Sequence, residues 1–258
     1  MMRLDRLNSM EEYVHECGNV SLSDLAKKFN ISINTVRRDV EELLERGTMK
    51  KVYGGVASII NNNSKIIPIS ERENTNIAAK QNIGKVVAQL IENDSTVFVD
   101  SGSTPAQVIQ YLGQKNNITI ITNSLKAMYE SSKYPNIKLL GIGGMYNTFK
   151  GSFVGSGTLE TISKLNFDIV LLGSTCVDLE SGLTINSYFE VDIKRWLVQH
   201  NKRVVLMADT RKYDKTALYS FCKFSDVKYV AAEKPLPPRY MKEIKERGMT
   251  FLCPEDSE

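Results

Sequence analysis

The sequence predicts an α/β protein in two parts: a small three-helix module closed by a strand and turn, then a larger domain on a mostly parallel sheet. Three observations lead there. The chain of 258 residues is longer than one domain of usual size. Apolar residues recur at helical spacing as far as Leu44, and a Lys-Lys strand with a Gly-Gly turn follows. From residue 95 onward, short β-rich runs alternate with helical segments, the pattern of helices packed on the faces of a parallel sheet. The expected divisions are 1–57, a linker at 58–75, and 76–258.

In the small module, the first helix runs from Arg3 to Glu16 with Leu4, Leu7, Met10 and Val14 on one face, and Gly18 ends it. The second opens at Ser21, where Ser-x-x-Asp supplies a cap, and turns Leu22, Leu25 and Phe29 inward. The third begins after Ile31, with Ser32 or Asn34 as its cap, and buries Val36, Val40, Leu43 and Leu44 before Gly47. That inward face leaves Asn34, Thr35, Arg37 and Arg38 near the amino-terminal end of the outer arc. A helix in the major groove presents that end to base edges and phosphates, so the module reads as a helix-turn-helix. Arg can contact guanine through two hydrogen bonds, whereas Ser, Thr and Asn serve bases or phosphates. Which of these residues reads bases stays open. Asp39 and Glu41 are expected to face the protein, paired with Arg38 or a neighbouring helix. After Gly47, the run from Thr48 through Lys50, Lys51 and Tyr53 to Gly55 fits a wing whose cations meet phosphates. A helical bundle with a solvated charged face is the plainer alternative.

The larger domain follows a polar, unpatterned stretch at 61–65. Strands are expected at 95–100, 118–122, 137–144, 167–173, 203–209 and 227–232, with helices at 105–112, 125–132 and 190–199. In such sheets, ligands collect beyond the carboxyl ends of the strands. The first strand ends in Asp100, Ser101, Gly102, Ser103 and Thr104, and Pro105 opens the next helix. Small residues let main-chain amides approach an anion and hydroxyls add donors, which suits a phosphate, although an ordinary strand-to-helix turn would look similar. Other strand ends repeat the chemistry: Thr122, Asn123 and Ser124; Gly143 and Gly144; Gly173, Ser174 and Thr175; and Asp209 with Lys212. Small polar groups converging with a cation describe a pocket for a phosphorylated sugar or polyol.

Charge and composition limit the alternatives. The hydrophobic fraction of 42% and charged fraction of 24% suit a folded chain with a sizeable core. The net charge is +3, yet residues 1–56 hold nine Lys/Arg and nine Asp/Glu, so DNA binding must rest on placed cations rather than bulk charge. No apolar run approaches the ~18 residues of a membrane span, and MMRLDRLNSMEEYV lacks a signal-peptide core, so a cytoplasmic chain without a membrane partner is expected. Cys17, Cys176, Cys222 and Cys253, with only His15 and His200 to join them, form neither a disulfide framework nor a metal-ligand pattern. No metal and no cofactor are expected.

The stretch VSLSDLAKKFNISINTVRRDVEELLERGTMKKVYGG resembles the amino-terminal region of the DeoR family of bacterial transcriptional regulators, through NTVRRD and the closing Gly-Gly. Many members have Arg-x-His-Gly-Gly where this chain has Lys51-Val52-Tyr53-Gly54-Gly55. The resemblance extends to about residue 240. It implies a sensor domain similar to ribose-phosphate isomerases and sugar phosphates as effectors. The usual phosphate loop Asp-Ser-Gly-Thr-Thr stands here as DSGST at 100–104, and TNS at 122–124, SFVG at 152–155 and ADTRK at 208–212 also match. Glu190 and Lys194 occupy a stretch the family often uses near the ligand; an exposed i,i+4 ion pair is the other reading. The wording of EEYV, NTVRRD and KVYGGV is nearest to inositol-catabolism repressors, which implies a phosphorylated keto-sugar acid.

The resulting expectation is a non-enzymatic repressor of a carbohydrate or polyol catabolic operon. It would bind operator DNA as a homodimer or homotetramer, because paired half-sites match a protein two-fold axis. A sugar-phosphate isomerase using Asp100, Glu190 or Asp209 to move a proton is the alternative from another class.

Overall fold

The computed structural model describes residues 3–45, 49–58 and 68–254, apart from the side chains of Leu4, Asp5, Asn8, Glu12, His15 and Glu16. The inward placement expected for Leu4, the start of the wing at Gly47 and Thr48, and the polar stretch at 61–65 lie outside the described residues. The chain divides into two compact units.

The smaller unit opens with α1 (Arg3–Cys17), whose Leu7, Met10 and Val14 are buried at the predicted spacing. A short strand, β1 (Asn19–Ser21), leads to α2 (Leu22–Phe29). Three residues are too few for periodicity to announce such a strand. Ser21 caps α2 by accepting the Asp24 N–H at 3.1 Å, and Asn30 ends it in a left-handed conformation, φ 50°. The cap of α3 (Ile33–Glu45) is Ser32, which accepts the Thr35 N–H at 3.1 Å. The strands β2 (Met49–Val52) and β3 (Gly55–Ser58) form the hairpin, and β3 lies between β1 and β2. A Cβ on Gly55 would stand 2.2 Å from the Val20 carbonyl oxygen, so only glycine lets β3 pass this close to β1. Leu7, Met10, Val14, Val20, Leu25, Val36, Val40, Leu43, Met49 and Val56 form one core. Asp39 turns inward and pairs with a neighbouring helix, as expected, accepting the Arg6 Nε of α1 at 2.7 Å; Glu41 is exposed instead.

The described part of the larger unit begins at Pro68. Residues 69–74 of the stretch expected as linker form α4 (Ile69–Asn74), too short to carry a helical period of its own. It is followed by α5 (Ile77–Ala88), β4 (Thr96–Val99), β5 (Ile118–Thr122), α6 (Leu125–Ser131) and β6 (Ile137–Gly141). A hairpin of β7 (Met145–Asn147) and β8 (Ser152–Val154) precedes α7 (Ser156–Ser163) and β9 (Ile169–Leu172). Then come β10 (Cys176–Asp178), β11 (Gly182–Ile185), α8 (Tyr188–His200) and β12 (Val204–Met207). The rest is β13 (Tyr219–Cys222), β14 (Tyr229–Ala231), α9 (Pro238–Glu246) and β15 (Thr250–Leu252).

Seven parallel strands form the main sheet in the order β15-β14-β12-β9-β4-β5-β6. The middle strands β9 and β12 are buried along their whole length, which is why they read as continuous apolar runs rather than alternating ones. The helix expected at 105–112 is a tighter 3-10 segment, Pro105–Tyr111, with the Gln107 N–H on the Thr104 carbonyl at 3.0 Å. Its Val108 and Ile109 join Ile83, Val97, Ile120, Leu171 and Val205 in the core beneath the sheet. No described helix is long and apolar enough to cross a membrane.

Candidate functional site

Two surfaces carry the chemistry, one in each unit. On α3, burial of Val36, Val40 and Leu43 fixes the helix so that Asn34, Arg37 and Arg38 stand exposed on the far side, with Thr35 half-buried beside them. Ser32 is occupied locally, since its Oγ caps the helix and lies 2.9 Å from Thr35 Oγ1. Lys50 and Lys51 are exposed on β2, and Tyr53 is fully exposed at the hairpin tip. Each sequence-predicted contact residue of this module is therefore at a surface that DNA could reach, with Ser32 and Thr35 the most constrained.

In the larger unit, an open cavity of about 350 Å³ lies beyond the carboxyl ends of β4 and β9. It is lined by Asp100, Ser101, Gly102, Glu190 and Lys212 from the predicted set, by Gly173, Ser174 and Thr175 at the end of β9, and by Arg72, Lys150, Ile185 and Lys194.

The two carboxylates are held by the protein itself. Asp100 Oδ2 accepts the Gly173 N–H at 2.9 Å and an ammonium proton of Lys194, which joins the ends of β4 and β9 to α8. Lys194 Nζ also donates to the Gly173 carbonyl at 3.0 Å. The exposed i,i+4 reading of Glu190 and Lys194 therefore does not hold: both are buried, and Lys194 turns to Asp100. Glu190 Oε1 accepts Ser101 Oγ at 2.7 Å and Ser152 Oγ at 3.0 Å. Burial pushes its carboxyl up, yet Lys150, Lys194, the Ser101 hydroxyl and Arg72 together hold it below the usual range, so it is a carboxylate.

The cations are strained in the opposite sense. Lys212 donates to the Ser174 carbonyl at 2.7 Å, and burial of its ammonium lowers its pKa to about 8, with Arg72 and Lys194 adding repulsion against the attraction of Asp209. Lys80 on α5 donates to the Arg72 carbonyl and is lowered to about 8 for the same first reason, burial, with Lys212 next. Burial also lowers Arg72.

Other predicted residues lie outside the lining. Ser103 and Thr104 are buried beside it. Thr122 Oγ1 donates to the Val99 carbonyl at 2.6 Å, Asn123 Nδ2 to the Phe153 carbonyl at 2.8 Å, and Ser124 caps α6. These three shape the neighbouring strand ends. Gly143 and Gly144 are exposed, with the Gly143 carbonyl accepting Thr158 Oγ1 at 2.9 Å. Asp209 is buried, accepts Arg211 Nε at 2.9 Å and is held below its usual range against its burial by Arg211 and Lys212. Arg72 and Lys150 carried no sequence signal of their own: one sits in the expected linker, the other just ahead of SFVG.

A winged helix-turn-helix and a parallel-sheet domain with a cation-lined cavity define the class of DNA-binding, ligand-sensing transcriptional regulators. Residues 6–62 match the DeoR-like helix-turn-helix domain and residues 75–234 the DeoR C terminal sensor domain. The chain is 35% identical to the HTH-type transcriptional regulator IolR of Bacillus subtilis (strain 168) over 95% of its own length and 97% of that protein's. It is 30% identical to the glycerol-3-phosphate regulon repressor of Escherichia coli (strain K12) over 98% of its length and 100% of the other's. The chain belongs to the DeoR family. Among solved structures it is similar to D-ribose-5-phosphate isomerase in complex with phospho-erythronic acid, with 17% identity, 52% of each chain covered and a TM-score of 0.39, a distant likeness.

Proposed function

We propose that this protein represses a carbohydrate or polyol catabolic operon and is released from its operator by a phosphorylated sugar or polyol. The observation that carries the reading is the charge of the cavity. Four cationic side chains, Arg72, Lys150, Lys194 and Lys212, meet two carboxylates, Asp100 and Glu190, leaving a net charge of two. A phosphate monoester carries roughly −1.5 to −2 at neutral pH, so it matches that excess. The name of the Escherichia coli relative, a glycerol-3-phosphate regulon repressor, supports both repression and a phosphorylated polyol.

Arg37, Arg38, Asn34 and Thr35 are the proposed base and phosphate contacts, Lys50, Lys51 and Tyr53 the wing contacts, and Ser101, Gly102, Glu190 and Lys212 the effector contacts. Ser103, Thr104 and Asp209 support that cavity from behind. A homodimer or homotetramer in the cytoplasm presents two modules to two half-sites, and effector binding acts through its difference in affinity for the DNA-bound and released states. The isomerase alternative has less behind it, because Asp100 and Glu190 are both engaged by internal partners and the relatives carry the names of regulators.

Fluorescence anisotropy with the DNA upstream of the protein's own gene tests the reading. Glycerol 3-phosphate, glucose 6-phosphate and a phosphorylated keto-sugar acid are added in turn. At least one should release the DNA while the unphosphorylated parents do not. Release by none, or turnover of any of them by the protein, counts against it.

A further inference from the structure

Nine large apolar or aromatic side chains stand exposed among the described residues, and seven of them belong to the larger unit. Six of those seven gather at one end of the main sheet: Leu139 and Leu140 on the edge strand β6, Met145 and Tyr146 on β7, and Leu125 and Tyr129 on α6. These three elements adjoin. A Cβ on Gly141 of β6 would stand 3.1 Å from the Met128 side chain of α6, and the Leu125 N–H donates to the Gly151 carbonyl, between β7 and β8, at 3.0 Å. Each of the six side chains keeps between 39% and 62% of its surface in solvent. Together they expose on the order of 500 Å² of mostly apolar area, the upper range for the largest patch on a monomer.

The strand at the centre of this patch has a free side. β6 pairs with β5, and no described strand pairs with its outer edge. Successive strand residues point to opposite faces, so exposure of both Leu139 and Leu140 leaves each face beside that edge incompletely covered. Edges that stay in water are usually blunted by a proline or an outstanding charge. β6 has no proline, and its one charge is drawn back over the sheet, where Lys138 Nζ donates to Asn117 Oδ1 at 2.7 Å. The opposite edge differs: on β15 only Thr250 is exposed, and Leu252 packs on the core. The rim of the patch is nearly neutral, since Glu130 is taken by Lys126 at 2.9 Å and by Lys133 at 2.7 Å.

We propose that β6 pairs antiparallel with β6 of a second copy of this chain across a two-fold axis, with α6 and β7 of each copy closing over the joint. Symmetry, area and charge each favour this occupant. A two-fold axis can set a strand antiparallel to its own copy, where the amides and carbonyls of the two free edges satisfy one another. The exposed apolar area, with the main chain of the strand and the polar rim, approaches the ~800 Å² that each partner gives to a standard specific interface. The nearly neutral rim neither repels a second copy nor selects an acidic or basic partner. In a register centred on Leu139, Lys138 lies opposite the partner's Leu140 and not opposite another lysine. The proposal is independent of what the cavity binds, and it supplies the axis that two operator half-sites require.

The test follows the full chain by sedimentation over a wide dilution range and measures amide hydrogen exchange of residues 137–141 in the associated and dissociated states. Wild type should associate, and the β6 amides should lose protection as it dissociates. Leu140→Glu places a carboxylate in the joint and should weaken this association by at least about 100-fold, so that a dimer falls to monomer or a tetramer to dimer. Diluted until neither associates, that variant should melt as wild type does. Ile77→Glu, at the exposed apolar residue outside the patch, should associate as wild type does. If Leu140→Glu does not fold, the exchange of β6 in wild type decides alone. A wild type that is monomeric throughout, an association that a folded Leu140→Glu leaves intact, or β6 amides that exchange equally in both states overturns the proposal. A chain that stays monomeric until a different protein is added gives the face to that partner and overturns it likewise.

Discussion

On the DNA module, Arg37, Arg38, Lys50 and Lys51 stand in solvent, whereas in the sensor Arg72, Lys80, Lys150, Lys194 and Lys212 are buried or half-buried around carboxylates and carbonyls. The same residue types thus do different work. The exposed set costs the fold nothing and is available to the phosphates and bases of a large polyanion. The buried set is desolvated: Lys194 is paired with Asp100, while Lys80 and Lys212, which donate to backbone carbonyls, are lowered to a pKa of about 8. Desolvation strengthens the pull of such a set on any small anion that enters, which is the property the proposed effector site needs.

The largest expected effect that could break this contrast is on stability. Lys194→Met leaves Asp100 buried without its cation and should cost about 3–5 kcal/mol in chemical denaturation. Arg37→Met, on an exposed face, should stay within about 0.5 kcal/mol of wild type. Equal effects would show that burial does not separate the two sets.

Next comes the DNA surface itself. Arg37→Ala with Arg38→Ala should lower operator affinity by about 100-fold, at roughly 1–3 kcal/mol for each base-reading contact, while phosphate binding by the sensor is retained. Operator affinity that survives in the double variant would move the recognition surface elsewhere.

In the cavity, Lys212→Ala should weaken phosphate binding by roughly 10-fold and leave the affinity of the apo protein for DNA unchanged, as for loss of a single charge-assisted hydrogen bond. A variant that binds phosphate as wild type does would take Lys212 out of the effector set.

The smallest effect is a pH dependence. Lys80 and Lys212 titrate near 8 in the fold, below their ordinary 10.5, so phosphate affinity should fall severalfold as pH rises from about 7.5 to 9 and these cations are lost. The same depression means that the unfolded chain holds more protons than the native one between about 8 and 10.5. The contribution of these two groups to apo stability therefore rises with pH across that window. Calorimetry and denaturation at matched pH values separate the two trends, and phosphate affinity that rises over this range would refute the role given to Lys212.

The helices of the DNA module were legible because each turns one apolar face inward, and that periodicity leaves Arg37 and Arg38 outside without any knowledge of the partner helix. The Gly-Gly turn was legible too, although the reason for its second glycine, the Val20 carbonyl at 2.2 Å from a would-be Cβ, appears only in three dimensions. Strand ends marked the sensor cavity because parallel sheets place ligands there, and Asp100, Ser101, Gly102 and Lys212 do line it; Glu190, on a helix, was reached only through the family resemblance.

What the sequence by itself determined was the two-part α/β organisation, the outward face of α3 and the strand-end loops, all of which follow from local periodicity and turn chemistry. Only the tertiary structure decided which charges converge. Arg72 and Lys150 lie 78 positions apart, and Asp100 meets Lys194 across 94. No local pattern encodes such meetings, because they depend on how α4, β4, β9 and α8 stack around one sheet edge. Burial, rather than residue type, is what lowers Arg72, Lys80 and Lys212 from their ordinary pKa values.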